Sequence, residues 1–287
     1  MRGKEWATKH HPTPESIRAE MLAERAKWRG RSHKPSLKVR TILAISDTHR
    51  PKFDPATWSI WLQAIRDVRP DAVWIIGDYV DLSSVTQHEK TADDSYTLRE
   101  ELWDGNRGLD EISDAIGPRR CDLLYIDGNH EDRLRRYIAS GRCPAPLRDT
   151  IHDIHNELHL EQRGWRYIHP DKQPYYPYPR FAVTHGNWYG LHAAHKHSVE
   201  FGCSGLMGHT HRYQVHSGVN ASGPYVWTVM PCSRDPKAEW QHQRTQVFTN
   251  WLTGIAVGEI GDNVPHIRVV LTNGGKAVYG GQTWRAK

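Results

Sequence analysis

From residue 39 onward, short apolar runs alternate with stretches of helical period. Residues 39–46 form an apolar run of strand length. Asp54 and Pro55 then open a segment whose Trp58, Trp61, Leu62, Ile65 and Val68 share one helical face. Residues 72–76 read as a second strand, 98–116 as a second amphipathic helix and 121–126 as a third strand. This β-α-β-α-β order predicts parallel strands joined by right-handed crossovers. Residues 141–180 are less regular, with helical spacing at Ile151, Ile154 and Leu158 followed by the tyrosine- and proline-rich run 174–179. Further strands are expected at 181–184, 205–207, 225–230, 246–251 and 266–271, with Asn273 and Gly274 as a hairpin turn.

Ahead of this pattern lies a different kind of segment. Thr13 as cap, Pro14 in the first turn, Glu15 at the positive dipole end and Gly30 as terminator predict one helix with few apolar positions. A basic linker, 31–38, follows. The expected organisation is therefore a basic helical leader and linker, 1–38, and a catalytic domain, 39–287, with a cap-like insertion at about 141–180.

Composition narrows the class. Of 287 residues, 38% are hydrophobic and 25% charged, which excludes a disordered chain. No run approaches the roughly 18–20 apolar residues of a membrane span, and the polar N-terminus lacks a secretory h-region. Cys121, Cys143, Cys203 and Cys232 form no CxxC pair, so free thiols and a cytoplasmic location are expected. The net charge is +5. Residues 1–40 hold 11 Lys/Arg against 4 Asp/Glu, a net of +7, so the remaining 247 residues carry 5 − 7 = −2. The basicity resides in the leader, where it points only weakly to a polyanion.

The 19 histidines direct attention to metal or proton chemistry, and position decides which of them matter. Strand one ends in Ser46-Asp-Thr-His49, strand two in Gly77-Asp-Tyr-Val-Asp81 and strand three in Asp127-Gly-Asn-His-Glu131. Two later strands add Thr184-His-Gly186 and Gly208-His-Thr-His211. Carboxyl ends of neighbouring strands border the ligand crevice of an α/β sheet, so these segments should meet. Their Asp, His and Asn donors, with no thiolate, suit Mn, Fe or Zn. An extended Asp47-Thr-His49, and likewise His209-Thr-His211, would aim alternate side chains at one ion.

The five blocks D-x-H, G-D-x-x-D, G-N-H-E, H-G and G-H-T-H, in this order over about residues 41–212, resemble the calcineurin-like metallophosphoesterase superfamily. The resemblance implies an α/β fold, a sandwich of two mixed sheets flanked by helices. It implies that Asp47, His49, Asp78 and His211 hold one divalent ion, and that Asp78 bridges to a second held by Asn129, His185 and His209. Manganese is expected foremost, with Fe, Zn or Ni as alternatives. Two such ions about 3.5–4 Å apart would bind a phosphate oxygen and supply a bridging hydroxide for in-line attack. His130 would be the general acid and Asp81 its orienting partner.

Other residues invite weaker readings. Arg133 and Arg136, with Arg135, follow His130 and are candidate phosphate contacts or a solvated helix face. Tyr175, Tyr176 and Tyr178 read first as a surface loop packing its own rings. Their alternative is a base-stacking platform, with Tyr176 as the candidate substrate contact. His152, His155 and His159 are expected to be exposed, and His192, His195 and His197 to be solvent or substrate-rim groups. Leu82 and Ser83 follow Asp81, so the arginine of the protein-phosphatase pattern G-D-x-V-D-R-G is absent. Asn187 replaces a second glycine after Gly186. Both departures turn the resemblance toward stand-alone phosphoesterases of bacteria and phages. The expected substrate is a phosphodiester of nucleotides or nucleic acid. A small-molecule phosphomonoesterase and a non-catalytic scaffold are the alternatives.

Overall fold

The computed structural model describes residues 39–87, 95–236, 250–262 and 264–287. The expected leader helix, and most of the strand expected at 246–251, lie outside the described residues. The β-α-β-α-β start is as the apolar pattern predicts. Strand β1 (Arg40–Ile45), helix α1 (Pro55–Val68), β2 (Ala72–Ile76), α2 (Leu98–Ile116) and β3 (Asp122–Ile126) follow in order. Asp54 starts α1 by accepting from the amides of Ala56 and Thr57, with Pro55 in the first turn. Thr97 and Glu100 close a reciprocal capping box on α2. β1, β2 and β3 pair in parallel.

Three short helices follow, α3 (Glu131–Ala139), α4 (Ala145–Arg148) and α5 (Ile154–Glu157), then β4 (Trp165–Ile168), β5 (Tyr175–Tyr178) and β6 (Phe181–Thr184). Helix α6 (Ala193–Phe201), β7 (Ser204–Met207), β8 (Gln214–Asn220) and β9 (Gly223–Val229) come next. The chain closes with β10 (Thr253–Gly261), β11 (Val264–Thr272), β12 (Lys276–Tyr279) and β13 (Gln282–Arg285). One mixed sheet has the order β11-β10-β1-β2-β3-β4 and the other β5-β6-β7-β9-β8, with β12-β13 as a separate ribbon.

Alternation along the strands sorts the core into layers. Leu43, Ile45, Val73, Ile75 and Tyr125 face α1 and α2, meeting Trp58, Trp61, Ile65, Leu109 and Ile112. Ile42, Ala44, Trp74, Ile76 and Ile126 point the other way and meet Phe181, Val183 and Leu206 of the second sheet. The outer face of that sheet packs Ala182, Met207, Trp227 and Val229 against Ala194 and Phe201 of α6. β2 is buried along its whole length, as a central parallel strand covered on both faces must be. Each such side chain contributes about 1.5–3 kcal/mol.

Residues 141–180 supply β4 and β5, the edge strands of the two sheets. The tyrosine run is therefore a strand and not a self-packed surface loop. Tyr175 and Tyr178 pack on the inter-sheet core while Tyr176 stays exposed. The prolines hide the pattern, yet an edge strand tolerates them because its outer amides need no partner.

Candidate metal centre

Loops at the carboxyl ends of β1, β2, β3, β6 and β7 converge. Asp47, His49, Asp78, His185 and His211 are buried, His209 and His130 half-buried, and Asn129 exposed. Three donor groups overlap: Asp47, His49 and His211; His49, Asp78 and His130; Asp78, His185 and His209. Asp78 and His49 each belong to two of them.

The expected extended conformation of the two D/H-x-H segments is corrected. Asp47, His49, Asp78, His209 and His211 all have left-handed backbones, with φ of 51°, 52°, 49°, 72° and 58°. Such residues cost about 1–3 kcal/mol each and persist where surrounding bonds impose them. Here Asp47 N–H donates to the Gly77 carbonyl (3.1 Å) and His49 N–H to that of Asp78 (2.9 Å). His209 N–H donates to Asp47 Oδ2 (2.9 Å) and His130 N–H to Asp78 Oδ1 (2.8 Å). Gly77, at φ +72°, passes so close that a Cβ would overlap the His185 ring.

The remaining lone pairs face inward. His49 Nδ1 donates to Asp81 Oδ1 (2.9 Å) and His185 Nδ1 to the Ile76 carbonyl (3.0 Å), which turns both Nε2 atoms toward the other donors. His49 Nε2 then lies 3.1 Å from His211 Nε2, and His185 Nε2 lies 3.2 Å from Asn129 Oδ1. His185 Nε2 is also 3.1 Å from Asp78 Oδ2, and His211 Nε2 is 3.2 Å from Asp47 Oδ1. Imidazole, carboxylate and amide atoms crowded this way fit cations held between them.

Electrostatics agrees. Burial alone would raise Asp47, yet the neighbouring His211 and then His185 hold its carboxyl down at about 2. Asp78 likewise stays well below the carboxylate range, against its burial, through His130 and His185. Burial lowers His185, but the Asp78 charge overrides it and draws the ring up to about 10, so a cation bound at Nε2 would take the place of a proton held there by Asp78. Burial and the His185 charge push His209 down to about 4.

His130 stands beside the donors. Its Nδ1 donates to the Asp81 carbonyl (2.7 Å), and Arg133 Nη2 lies 2.7 Å from its Nε2. Three residues to which the sequence assigned no role belong here. Lys52 Nζ and Arg234 Nη1 reach the Asp81 carboxylate at 2.9 and 3.0 Å. Glu131, fully buried, accepts from the amides of Asp78, Tyr79, Val80 and Gly128 and from the Tyr125 hydroxyl. The Glu in G-N-H-E was the available signal for Glu131; Lys52 and Arg234 carry none, lying outside every block.

A cavity of about 430 Å³ opens beside His185 and Asn129, lined also by Asp132, Arg136, Asp171 and Gln173. Arg136 pairs with Asp132 (2.5 Å) at its rim. Tyr176 is not among the lining residues. His155 stacks on Tyr167 and His152 is exposed. His197 is a correction: it is fully buried and stacks on Trp227.

The calcineurin-like phosphoesterase family model matches residues 40–213. Among solved structures, a phosphoesterase from E. coli shares 13% identity over 86% of this chain and 100% of that one, with a TM-score of 0.39. A dimetal phosphatase from Danio rerio shares 10% over 86% and 99%, with a TM-score of 0.40. Vacuolar protein sorting 29 from Cryptosporidium parvum shares 12% over 86% and 98%, with a TM-score of 0.38. No curated protein sequence matches. Because the family match spans more than half of the 287 residues, the chain belongs to the calcineurin-like phosphoesterases and is a metal-dependent phosphoesterase.

Proposed function

We propose that the chain holds two divalent ions, manganese foremost, and hydrolyses phosphodiesters of nucleotides or nucleic acid in the cytoplasm. The observation that carries the two-ion reading is that Asp78 belongs to two donor groups, one with His49 and His130 and the other with His185 and His209. Asp47, His49, Asp78 and His211 would hold one ion; Asp78, Asn129, His185 and His209 would hold the other. Oxygen and imidazole donors without thiolate support manganese. When bound, such ions polarise a phosphoryl oxygen and acidify water.

The protein's own groups prepare the rest. Asp81 fixes the His49 ring through its carboxylate and the His130 ring through its carbonyl, so both present Nε2 toward the reaction centre. The leaving oxygen would meet His130 Nε2, now faced by Arg133. The substrate would take over that guanidinium contact, freeing His130 Nε2 to take up a proton from solvent and pass it to the leaving oxygen while Nδ1 stays on the Asp81 carbonyl.

Residues 1–38 are proposed as a separate basic leader that adds contact to a polyanion; its net charge supports this. Residues 141–180 are proposed to set selectivity, supported by Pro170, Asp171, Gln173 and Pro174 in the cavity wall. Turnover of bis-aryl and mono-aryl phosphates with Mn, alongside single- and double-stranded DNA and cyclic nucleotides, tests the proposal. Diester hydrolysis is expected; a purely monoesterase profile would overturn the substrate class. Full metal occupancy without any hydrolysis would favour a scaffold.

A further inference from the structure

The connection from β6 to α6 runs from His185 back past the metal donors with large apolar side chains in solvent. Tyr189 is 75% exposed and Trp188 43%, and Leu191 beside them is exposed as well. The segment is nonetheless anchored. Gly186 has φ +108°, and the Met207 methyl leaves no room there for a Cβ. Asn187 N–H donates to His197 Nε2 at 3.1 Å, and His197 Nδ1 in turn donates to the Ala193 carbonyl at 2.9 Å. The buried His197 ring is therefore a post for this loop, which is why it does not reach solvent.

Both exposed aromatic rings are placed by contacts. Trp188 Nε1 donates to Glu200 Oε2 at 3.0 Å, and Lys196 Nζ lies 4.5 Å from the ring centroid. The Tyr189 ring stands 6.4 Å from that of His209, nearly perpendicular to it. Contiguous exposed apolar surface marks a binding site more often than chance. Aromatic rings already held in place lose little conformational freedom when they bind. This patch begins at a candidate ion donor, so a group attached to a phosphate at that donor lies within its reach. A nucleobase suits it: the flat face covers a ring and the polar edge stays in water.

We infer that Trp188 and Tyr189 are specificity-determining residues that stack the base flanking the scissile phosphate. The inference rests on the nucleotide phosphodiester reading above and gives it a recognition surface. It places selectivity at the β6–α6 loop in addition to the 141–180 segment.

The test compares p-nitrophenyl esters of thymidine 5′-phosphate and of 1,2-dideoxyribose 5′-phosphate, which share leaving group and charge and differ in the base. With the full-length, manganese-loaded protein, the thymidine ester should have a KM lower by about 5- to 150-fold, the range for one stacked base. Tyr189→Ala and Trp188→Ala should each move that ratio toward one, and Tyr189→Phe should keep it. Val219→Ala, an exposed change on β8, is the control and should retain the wild-type ratio. Equal KM values for the two esters in the wild type, or an unchanged ratio in both alanine variants, would overturn the inference while leaving phosphodiester hydrolysis intact. Failure to hydrolyse either ester would overturn the nucleotide reading and the inference with it.

Discussion

Glu131→Gln perturbs the centre through its backbone. One Glu131 oxygen serves the amides of Tyr79 and Val80 and the Tyr125 hydroxyl at 2.7, 3.2 and 2.9 Å. The other serves the amides of Asp78 and Gly128, both at 3.0 Å. Whichever oxygen the Gln nitrogen replaces, at least two buried donors then face a donor. Each stranded buried donor costs about 1–3 kcal/mol, so two cost about 2–6 kcal/mol. At about 2–4 °C per kcal/mol for a chain of this size, the melting temperature should fall by at least about 4 °C. Thermal unfolding followed by circular dichroism in the presence of chelator isolates this loss from any effect of bound metal. Because the Asp78 amide is one of the released donors, metal affinity should also drop by about 10- to 100-fold. An unchanged melting temperature together with unchanged metal affinity would show that Glu131 does not hold the Asp78 loop.

Further outcomes follow from single contacts. His130→Asn should lower kcat by about 10²- to 10⁴-fold on an alkyl phosphodiester and by much less on a p-nitrophenyl ester, whose leaving group needs no proton; equal losses would remove His130 from the acid role. Gly77→Ala adds a Cβ against the His185 ring at a left-handed backbone, so the soluble variant should bind fewer ions by elemental analysis, and full occupancy would refute the steric reading. Deleting residues 1–36 should leave hydrolysis of a small aryl phosphate nearly unchanged while weakening salt-sensitive nucleic-acid binding; a collapse of small-substrate activity in the folded truncation would place the leader in the site.

Periodicity made the first half of the fold legible. The pattern at 54–68 and the amphipathic span 98–116 mark helices whose ends agree with the structure. Strands hidden from that reading are those whose pattern is interrupted. β10 pairs with β1 at the centre of its sheet, but Gly254, Gly258 and Glu259 break its apolar run. β5 is masked by prolines and β8 by the alternation of Val with His, Ser and Gly along an exposed edge. The donor blocks were legible because each sits after a strand. Their geometry was not: the left-handed backbones of Asp47 and His49 are held by bonds to Gly77 and Asp78, and the His211 carbonyl accepts from Leu252, all far apart in sequence. Lys52 and Arg234 escaped for the same reason, since only the folded chain brings them to Asp81.

The proposed sharing of Asp78 by two ions is best tested by counting metal per chain in wild type and Asp78→Asn, with phosphodiester hydrolysis measured on the same samples. Two ions per chain are expected in the wild type, with metal content and activity falling together in the variant. Two ions retained by an Asp78→Asn protein of wild-type activity would contradict it.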